Sequence, residues 1–401
     1  VSWLPWTSEL PSNWQVVPAR AMLEPVRRDP QSNDMTVTAF RDGQVTLRSN
    51  RRVDGFTESV KEIGYQGVRR GEVVIHSMDA FAGAIGVSDS DGKMSPVVHI
   101  YTAPSDNPEF IVHSLRAASR AGFIRALAKG IRERSTSFDR PVLKSMALPR
   151  PPRDTQDAIV AYLDRETQKI DELITEQRSL IETLRERRQA VIDSVFGVKD
   201  VNSRMYAACL DVVDCPHSTP EIDLDGEFEA VRTASIRNGS FRQGHGLRVS
   251  EATWRERNAG GAPRLGDVLF TREAPAGEAC MVPDINVCLG QRMVLLRVNQ
   301  ARADGRFIMW QIYSRIVQDY FRAHSNGSTV NNVRLPLLRG LPIWLPSVGE
   351  QRQVTAYLDD QTSRIDELIS ESEDLITLSQ ERRAALITAA VTGQIDVRTA
   401  S

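Results

Sequence analysis

The stretch AYLDRETQKIDELI at 161–174 returns as AYLDDQTSRIDELI at 356–369. Each copy is followed at the same distance by an Arg-Arg pair, Arg187-Arg188 and Arg382-Arg383, so the offset is 195 residues throughout. Both copies read as long helices. From Thr155 to Val195 there is neither Pro nor Gly, and Leu163, Ile170, Ile174, Ile181, Leu184, Val191 and Val195 return at threes and fours. That spacing puts them on one helix face. The second copy carries Leu358, Ile365, Ile369, Ile376, Leu386 and Ala390 in the same pattern. Leu173, Leu180, Leu368 and Leu375 are expected to widen the two stripes. Asp154 or Thr155 is expected to cap the first helix, and Gly197 and Gly393 stand where each helix would stop. A helix of about 40 residues is about 60 Å long, and one so long generally needs a partner helix. The two copies are therefore expected to pack against each other. The alternative is an ordinary long bundle helix with a gap in its stripe, since the polar Gln177 and Ser372 fall on stripe positions. Such residues can fix register at a cost in stability.

The duplication reaches beyond the helices. LPRPPRDTQ (148–156) faces LPSVGEQ (345–351), matching Pro151 to Pro346 and Gln156 to Gln351; RSTS (134–137) faces GSTV (327–330), and RRGEVVIH (69–76) faces RLGDVLFT (264–271). The chain order is globule, long helix, globule, long helix. The expected partition is 1–150, 151–200, 201–346 and 347–401. Within the globules, 72–75, 96–101, 267–270 and 293–296 read as strands, 108–118 and 306–322 as helices, with Gly-rich turns between. Gly83, Gly86, Gly277 and Gly290 are read as turn residues. Each globule is thus a compact α+β domain of conventional size. Trp3, Trp6 and Trp14 are expected to pack the N-terminal segment onto its core.

At 401 residues, 41% of them hydrophobic and 25% charged, the chain is a folded multidomain protein. No apolar run approaches membrane-spanning length, and VSWLPWTSELPSNW at the start does not read as a signal peptide. A cytoplasmic location is expected. The net charge of −2 divides unevenly, +4 over 1–155, −3 over 156–200, +2 over 201–346 and −5 over 347–401. Basic globules alternating with acidic helices hint at a polyanionic partner. The four cysteines, Cys209, Cys215, Cys280 and Cys288, fit no zinc framework. His217 near Cys215 is read as a hydrogen-bonding residue near the domain start, with base reading or metal binding as alternatives. No phosphate loop, HExxH or GxSxG is present, and Asn107-Pro108-Glu109-Phe110 lacks the second proline of an amino-methyltransferase motif. No catalytic residue, cofactor or metal is expected, and a recognition protein or a scaffold fits better than an enzyme.

Several motifs together carry a resemblance. MDAFAGAIGVSDSDGKMSP (78–96), DCPHSTP (214–220), TREAPAGEACMV (271–282) and GQRMVLLR (290–297) stand in the globules, and ERRQAVIDSVFG (186–197) and ERRAALITAAVTGQIDV (381–397) end the helices. In this order and in two copies they resemble the specificity subunit of type I restriction-modification systems, over nearly the whole chain. PPRDTQ (151–156) departs from that family's usual Pro-Pro-x-x-Glu-Gln junction. The resemblance implies an α+β fold of two pseudo-symmetric α/β target recognition domains, separated by two long helices paired as an antiparallel coiled coil. It also implies that each globule reads one half of a bipartite, asymmetric double-stranded DNA target. Two modification (methyltransferase) subunits, and in the full complex restriction subunits, would then supply the chemistry. The alternative is a structural scaffold without DNA sequence specificity.

Phosphate positioning and base-edge reading both call for arginine and lysine, while Asn, Gln, Ser, Thr and Tyr can read donors and acceptors. The candidates are Arg51, Arg52, Arg69, Arg70, Lys93, Arg132 and Arg134 in the first globule. In the second they are Arg237, Arg242, Gln243, His245, Arg248, Arg272, Arg322, His324, Asn326, Ser328 and Asn331. The polar clusters NRR (50–52), RERSTS (132–137), SFRQGHG (240–246) and HSNGSTVNN (324–332) are favoured as loops. For any one arginine the competing reading is a solvated surface charge.

Overall fold

Both copies of the repeat form helices of 44 residues, Arg153–Phe196 and Val348–Val391, each about 66 Å long. The computed structural model describes residues 4, 6, 10–51, 63–128, 137–283, 285–324 and 332–397. By their contacts these residues form two units. Unit 1 takes residues 1–176 and 375–401, and unit 2 takes 177–374. Each unit thus holds one globule, the half of one long helix nearest to it, and half of the other.

Inside each unit the two helix halves run antiparallel. In unit 1, Ile159, Val160 and Leu163 share a core with Ile387, Ala390 and Val391, while Arg383 pairs with Asp171 at 3.0 Å. In unit 2, Ile192 and Phe196 share a core with Leu358, and Arg188 pairs with Asp366 at 2.9 Å. These are the same contacts with the copies exchanged: Leu163 and Ile387 become Leu358 and Ile192, and Asp171 and Arg383 become Asp366 and Arg188. Such reciprocity is what matching stripes produce when they pack as a pseudo-twofold pair.

Leu163, Ile170, Ile174, Ile181, Leu184, Leu358 and Ile365 are buried, and Val191, Ile369, Ile376 and Leu386 are half-buried. Leu180, Leu368 and Leu375 instead face solvent, at 43%, 48% and 38% exposure. A two-helix seam covers a narrower stripe than a bundle core, and these leucines lie one residue, about 100°, off it. Toward the ends the buried positions shift to Ile192, Phe196, Ile387 and Val391, because there the globule covers the helix from another side. The first helix starts at Arg153 rather than after a side-chain cap. Pro152 O accepts the N–H groups of Thr155 and Gln156, and Asp154 sits in the first turn.

Each globule is built on an antiparallel four-stranded sheet of the same order. In unit 1 it runs Glu24–Val26, Val98–Thr102, Val73–His76, Ile85–Val87, and in unit 2 Cys209–Asp214, Met293–Val298, Val268–Thr271, Ala279–Met281. The central strands are buried on both faces, which is why they read as continuous apolar runs. Glu72 and Asp267 sit at equivalent strand starts. Each accepts the N–H of the arginine three residues earlier, Arg69 and Arg264, closing equivalent turns.

The junctions to the helices are clamped alike. Asn107 caps the helix Pro108–Arg120 and Asp304 caps Gly305–Ile312, each accepting two backbone N–H groups. Gln156 accepts the N–H of Asn107 at 2.8 Å and donates to Asp106 and to Pro151 O. Gln351 accepts the N–H of Asp304 at 2.8 Å and donates to Arg302 O and Pro346 O. Both amides are buried, with both amide hydrogens donated and the oxygen accepting one bond.

The glycines expected in turns divide by role. Gly83 has a φ of 93° and Gly277 of 92°, a left-handed backbone that favours glycine. Gly86 lies inside a strand, where an added Cβ would overlap Gly43 O, and Gly290 stands equally close to Val231 O. Close backbone approach, not turning, requires those two. Trp14 is buried against Phe110 as expected, and Trp6 packs on the same core; Trp3 lies outside the described residues.

Two histidines make stability depend on pH. Burial and then Arg140 push His99 down to about 4, and Arg140 Nε donates to its Nδ1. Burial, then Arg116, Arg383 and Arg120, push His113 down to about 4. In the unfolded chain both titrate near the ordinary value of about 6.5. Their stabilising contribution is therefore complete above about pH 6.5 and is lost as pH falls through about 4. Urea unfolding from pH 7 to 5 should show stability falling on acidification. The double variant His99→Gln, His113→Gln should lose part of that slope, whereas an identical slope would remove these histidines as its source.

Candidate nucleic-acid interface

In unit 2 the sequence RNGS forms a tight hairpin, Ile236–Arg237 paired with Ser240–Phe241 through Asn238-Gly239. Asn238 and Gly239 both have positive φ, 51° and 87°, as a two-residue hairpin turn requires. The turn is held from beneath. The hydroxyl of Tyr313 accepts the N–H groups of Gly239 and Ala279 and donates to Glu278, which also accepts the N–H of Asn238 at 2.8 Å. Burial first, then Glu278, pushes the Tyr313 phenol far up, so it stays a protonated donor. From the helix pair, Arg188 donates to Asn238 O at 3.0 Å while paired to Asp366, its guanidinium 5.3 Å from the Trp310 ring. Beyond the hairpin, Glu229 accepts the N–H groups of Gly244 and Gly246 and pins the loop base.

This scaffold brings some of the expected readers together. Arg237 and Arg242 line a cleft of about 610 Å³ with Arg185, Arg188, Asn238 and Ser240. Gln243 and Arg248 line another of about 550 Å³, where Arg248 donates to Gly226 O. His245 is exposed on the same loop. Arg272 is different: it is 13% exposed, with Nη1 donating to both oxygens of Asp214, so it braces the sheet. Arg322 pairs with Asp319 along its own helix, and His324 stacks on Tyr320 with Nδ1 bonded to Tyr320 O. His217 is exposed, 3.5 Å from Asp214. Asn326, Ser328 and Asn331 lie outside the described residues.

In unit 1, Arg51 lies 4.4 Å from the Phe40 ring and pairs with Asp42 at 2.6 Å. Arg69 is half-buried and reaches Asp34 and Val68 O. Arg70 is exposed, its N–H held by Asp91, and Lys93 is half-buried on the strand Gly92–Met94. Arg52, Arg132 and Arg134 lie outside the described residues. The reading of the sequence missed Asn238, Arg185 and Arg188 as readers, while Ser240 lies in the favoured cluster SFRQGHG. The Asn-Gly pair between short alternating runs was the available signal for the hairpin. Nothing local marks Arg188, which meets the hairpin only through the fold.

The cysteines are free and buried, and burial raises all four thiols, Cys209 and Cys280 to about 12 and Cys288 to about 11. Among the described residues no group of His, Cys, Asp and Glu is arranged to hold a metal ion, and no helix is long and apolar enough to cross a membrane.

Neither a protein-family model nor a curated protein sequence matches this chain. Solved structures do. A structure concerned with complex assembly and conformational transition of the type I R-M system contains a chain matching 97% of this one over 100% of its own length, with a TM-score of 0.72 and 18% identity. The chain has the HsdS fold. The crystal structure of the HsdS subunit from Thermoanaerobacter tengcongensis matches 97% of this chain over 99% of its own, with a TM-score of 0.51 and 18% identity. In the HsdS fold the two long helices pack together as they do here. With so little sequence shared, the likeness is in the frame, whose sheet order, caps and clamps recur in both units of this chain.

Proposed function

We propose that the chain is the specificity subunit of a type I restriction-modification complex, recognising a bipartite asymmetric DNA target without catalysing a reaction itself. The observation that carries this reading is one frame built twice with unlike loops on it. Sheet order, capped helix and buried glutamine repeat, while the Asn238-Gly239 hairpin of unit 2 and the Phe40–Gln44 turn of unit 1 differ in length and residues. A shared frame with divergent polar loops suits two readings of one kind of ligand. Each globule, 1–150 and 201–346, reads one half-target, and the helical spacers at 151–200 and 347–401 set the distance between them. Base edges are read by outward side chains such as Arg237, Arg242, Gln243 and His245, with other arginines on phosphates. Methyl transfer and cleavage come from two modification subunits and from restriction subunits, in the cytoplasm.

The test mixes the chain with its cognate modification subunits and measures duplex binding across many sequences at several salt concentrations. The reading predicts strong preference for one bipartite sequence. Binding that is indifferent to sequence and falls steeply with salt would instead indicate a scaffold.

A further inference from the structure

Where unit 2 holds Trp310 and Tyr313, unit 1 holds a histidine and an arginine. Six residues after the cap, His113 stands for Trp310, and nine residues after it, Arg116 stands for Tyr313. The helix then runs on to Arg120. Arg383 occupies the position of Arg188, but it has no hairpin carbonyl to hold and pairs only with Asp171, at 3.0 and 3.2 Å, among the described residues. Arg116 donates to Asp42 O in the Phe40–Gln44 turn. Its guanidinium lies so close to Gly43 that a Cβ there would overlap it. Asp42 is already engaged by Arg51. Arg120 is exposed and makes no hydrogen bond or ion pair with any described residue.

The electrostatics agree with the geometry. Burial first, then Arg383, lowers the proton affinity of Arg116, partly offset by Asp42 and Glu109; for Arg120, whose surface is open to solvent, the protein crowded around its base acts first, then Arg116 and Arg383. Guanidinium groups keep their protons under ordinary conditions. The lowering therefore expresses first the cost of surrounding these cations with protein and second their mutual repulsion, and a bound anion would offset the repulsion. His113, buried behind them and neutral above about pH 4, supplies no further charge.

We propose that Arg116 and Arg120, one turn apart on the same face of the helix Pro108–Arg120, grip a backbone phosphate of the duplex whose half-target unit 1 reads. This rests on the DNA-recognition reading above and adds an asymmetry to it. Guanidinium forks match phosphate oxygens and fix position without reading sequence. Nine and thirteen residues after its cap unit 2 has the uncharged Tyr313 and Val317, so the Arg116–Arg120 pair belongs to the first half-target alone.

The test uses the complex with cognate modification subunits. Affinity is measured against salt for a duplex carrying the motif methylated in cells that express the complex, and for one with that motif scrambled. Arg120→Gln lies at an exposed helix end and leaves the core intact; Arg116→Gln is added to it in a second variant. Arg120→Gln should weaken both duplexes by the same factor, about fivefold, and reduce the salt slope by about 1, with Arg120→Lys recovering most of the slope. Wild-type salt slopes on both duplexes in the single and the double variant would overturn the phosphate grip. So would loss confined to the motif duplex, which would make Arg120 a base reader. If the wild-type complex shows no preference between the duplexes, the recognition reading fails instead, and the slope comparison still decides the grip.

Discussion

A hybrid carrying residues 1–150 of a relative, with everything from 156 onward kept, should acquire a new first half-target while retaining its second half-target and spacer length. Base readout is local to loops on each globule, and the second globule and both long helices are untouched. The expected result is complete replacement of one half of the methylated motif, since each mismatched base pair costs about 1–3 kcal/mol. The structure adds a condition. Gln156 accepts the N–H of Asn107 and donates to Asp106, which is also held by Arg150 at 2.9 Å. A donor globule without an acceptor at 106 would leave a hydrogen of the buried Gln156 amide unsatisfied, and one without a capping side chain at 107 would leave the N–H groups of residues 109 and 110 uncapped. Donors that keep both should give folded hybrids. If both half-targets changed together, or if a folded hybrid methylated without preference, the assignment of one globule to one half-target would be wrong.

Gln351→Ala should destabilise unit 2 by about 2–4 kcal/mol, read as a shift in urea unfolding. Three hydrogen bonds end on this buried amide, and its removal strands the N–H of Asp304 at the start of a helix whose far end carries Tyr313. A lost hydrogen bond costs about 1 kcal/mol, and a buried group left unsatisfied costs about 1–3 more. Gln351→Glu keeps the acceptor for Asp304 but turns a buried carboxylate toward Arg302 O and Pro346 O, so its loss at neutral pH should be at least as large. Gln156→Ala should do the same to unit 1. A change below about 1 kcal/mol for either alanine variant would mean that the clamps are not what joins globule to helix.

Much of this architecture was legible because a duplication supplies its own comparison. Pro151 with Pro346, and Gln156 with Gln351, marked the junctions before any contact was known, and the structure places both glutamines in the same bonds. The helices were legible from their apolar period, whereas the width of the seam was not. Leu180 and Leu375 look like core residues in one dimension, and only the narrowness of a two-helix contact exposes them. Gly86 read as a turn for a similar reason, since Gly43 O, which excludes a side chain there, is distant in sequence.

The interface was legible only in outline. Basic residues in loops are visible in any sequence, but their partners are not. Arg272 and Arg237 are alike on paper; one is held tightly by Asp214 and the other stands half-exposed on a hairpin, 3.9 Å from Glu278. Arg116 and Arg120 sit on a helix, where loop-based reasoning does not look.

The most direct test of the central claim is the methylation pattern in cells expressing this chain with its cognate modification subunits, compared with cells lacking it. The account predicts methylation at one motif of two unlike half-targets separated by a fixed, unread spacer, and none at that motif without the chain. Methylation that persists without the chain, or that follows a single uninterrupted motif, would contradict it.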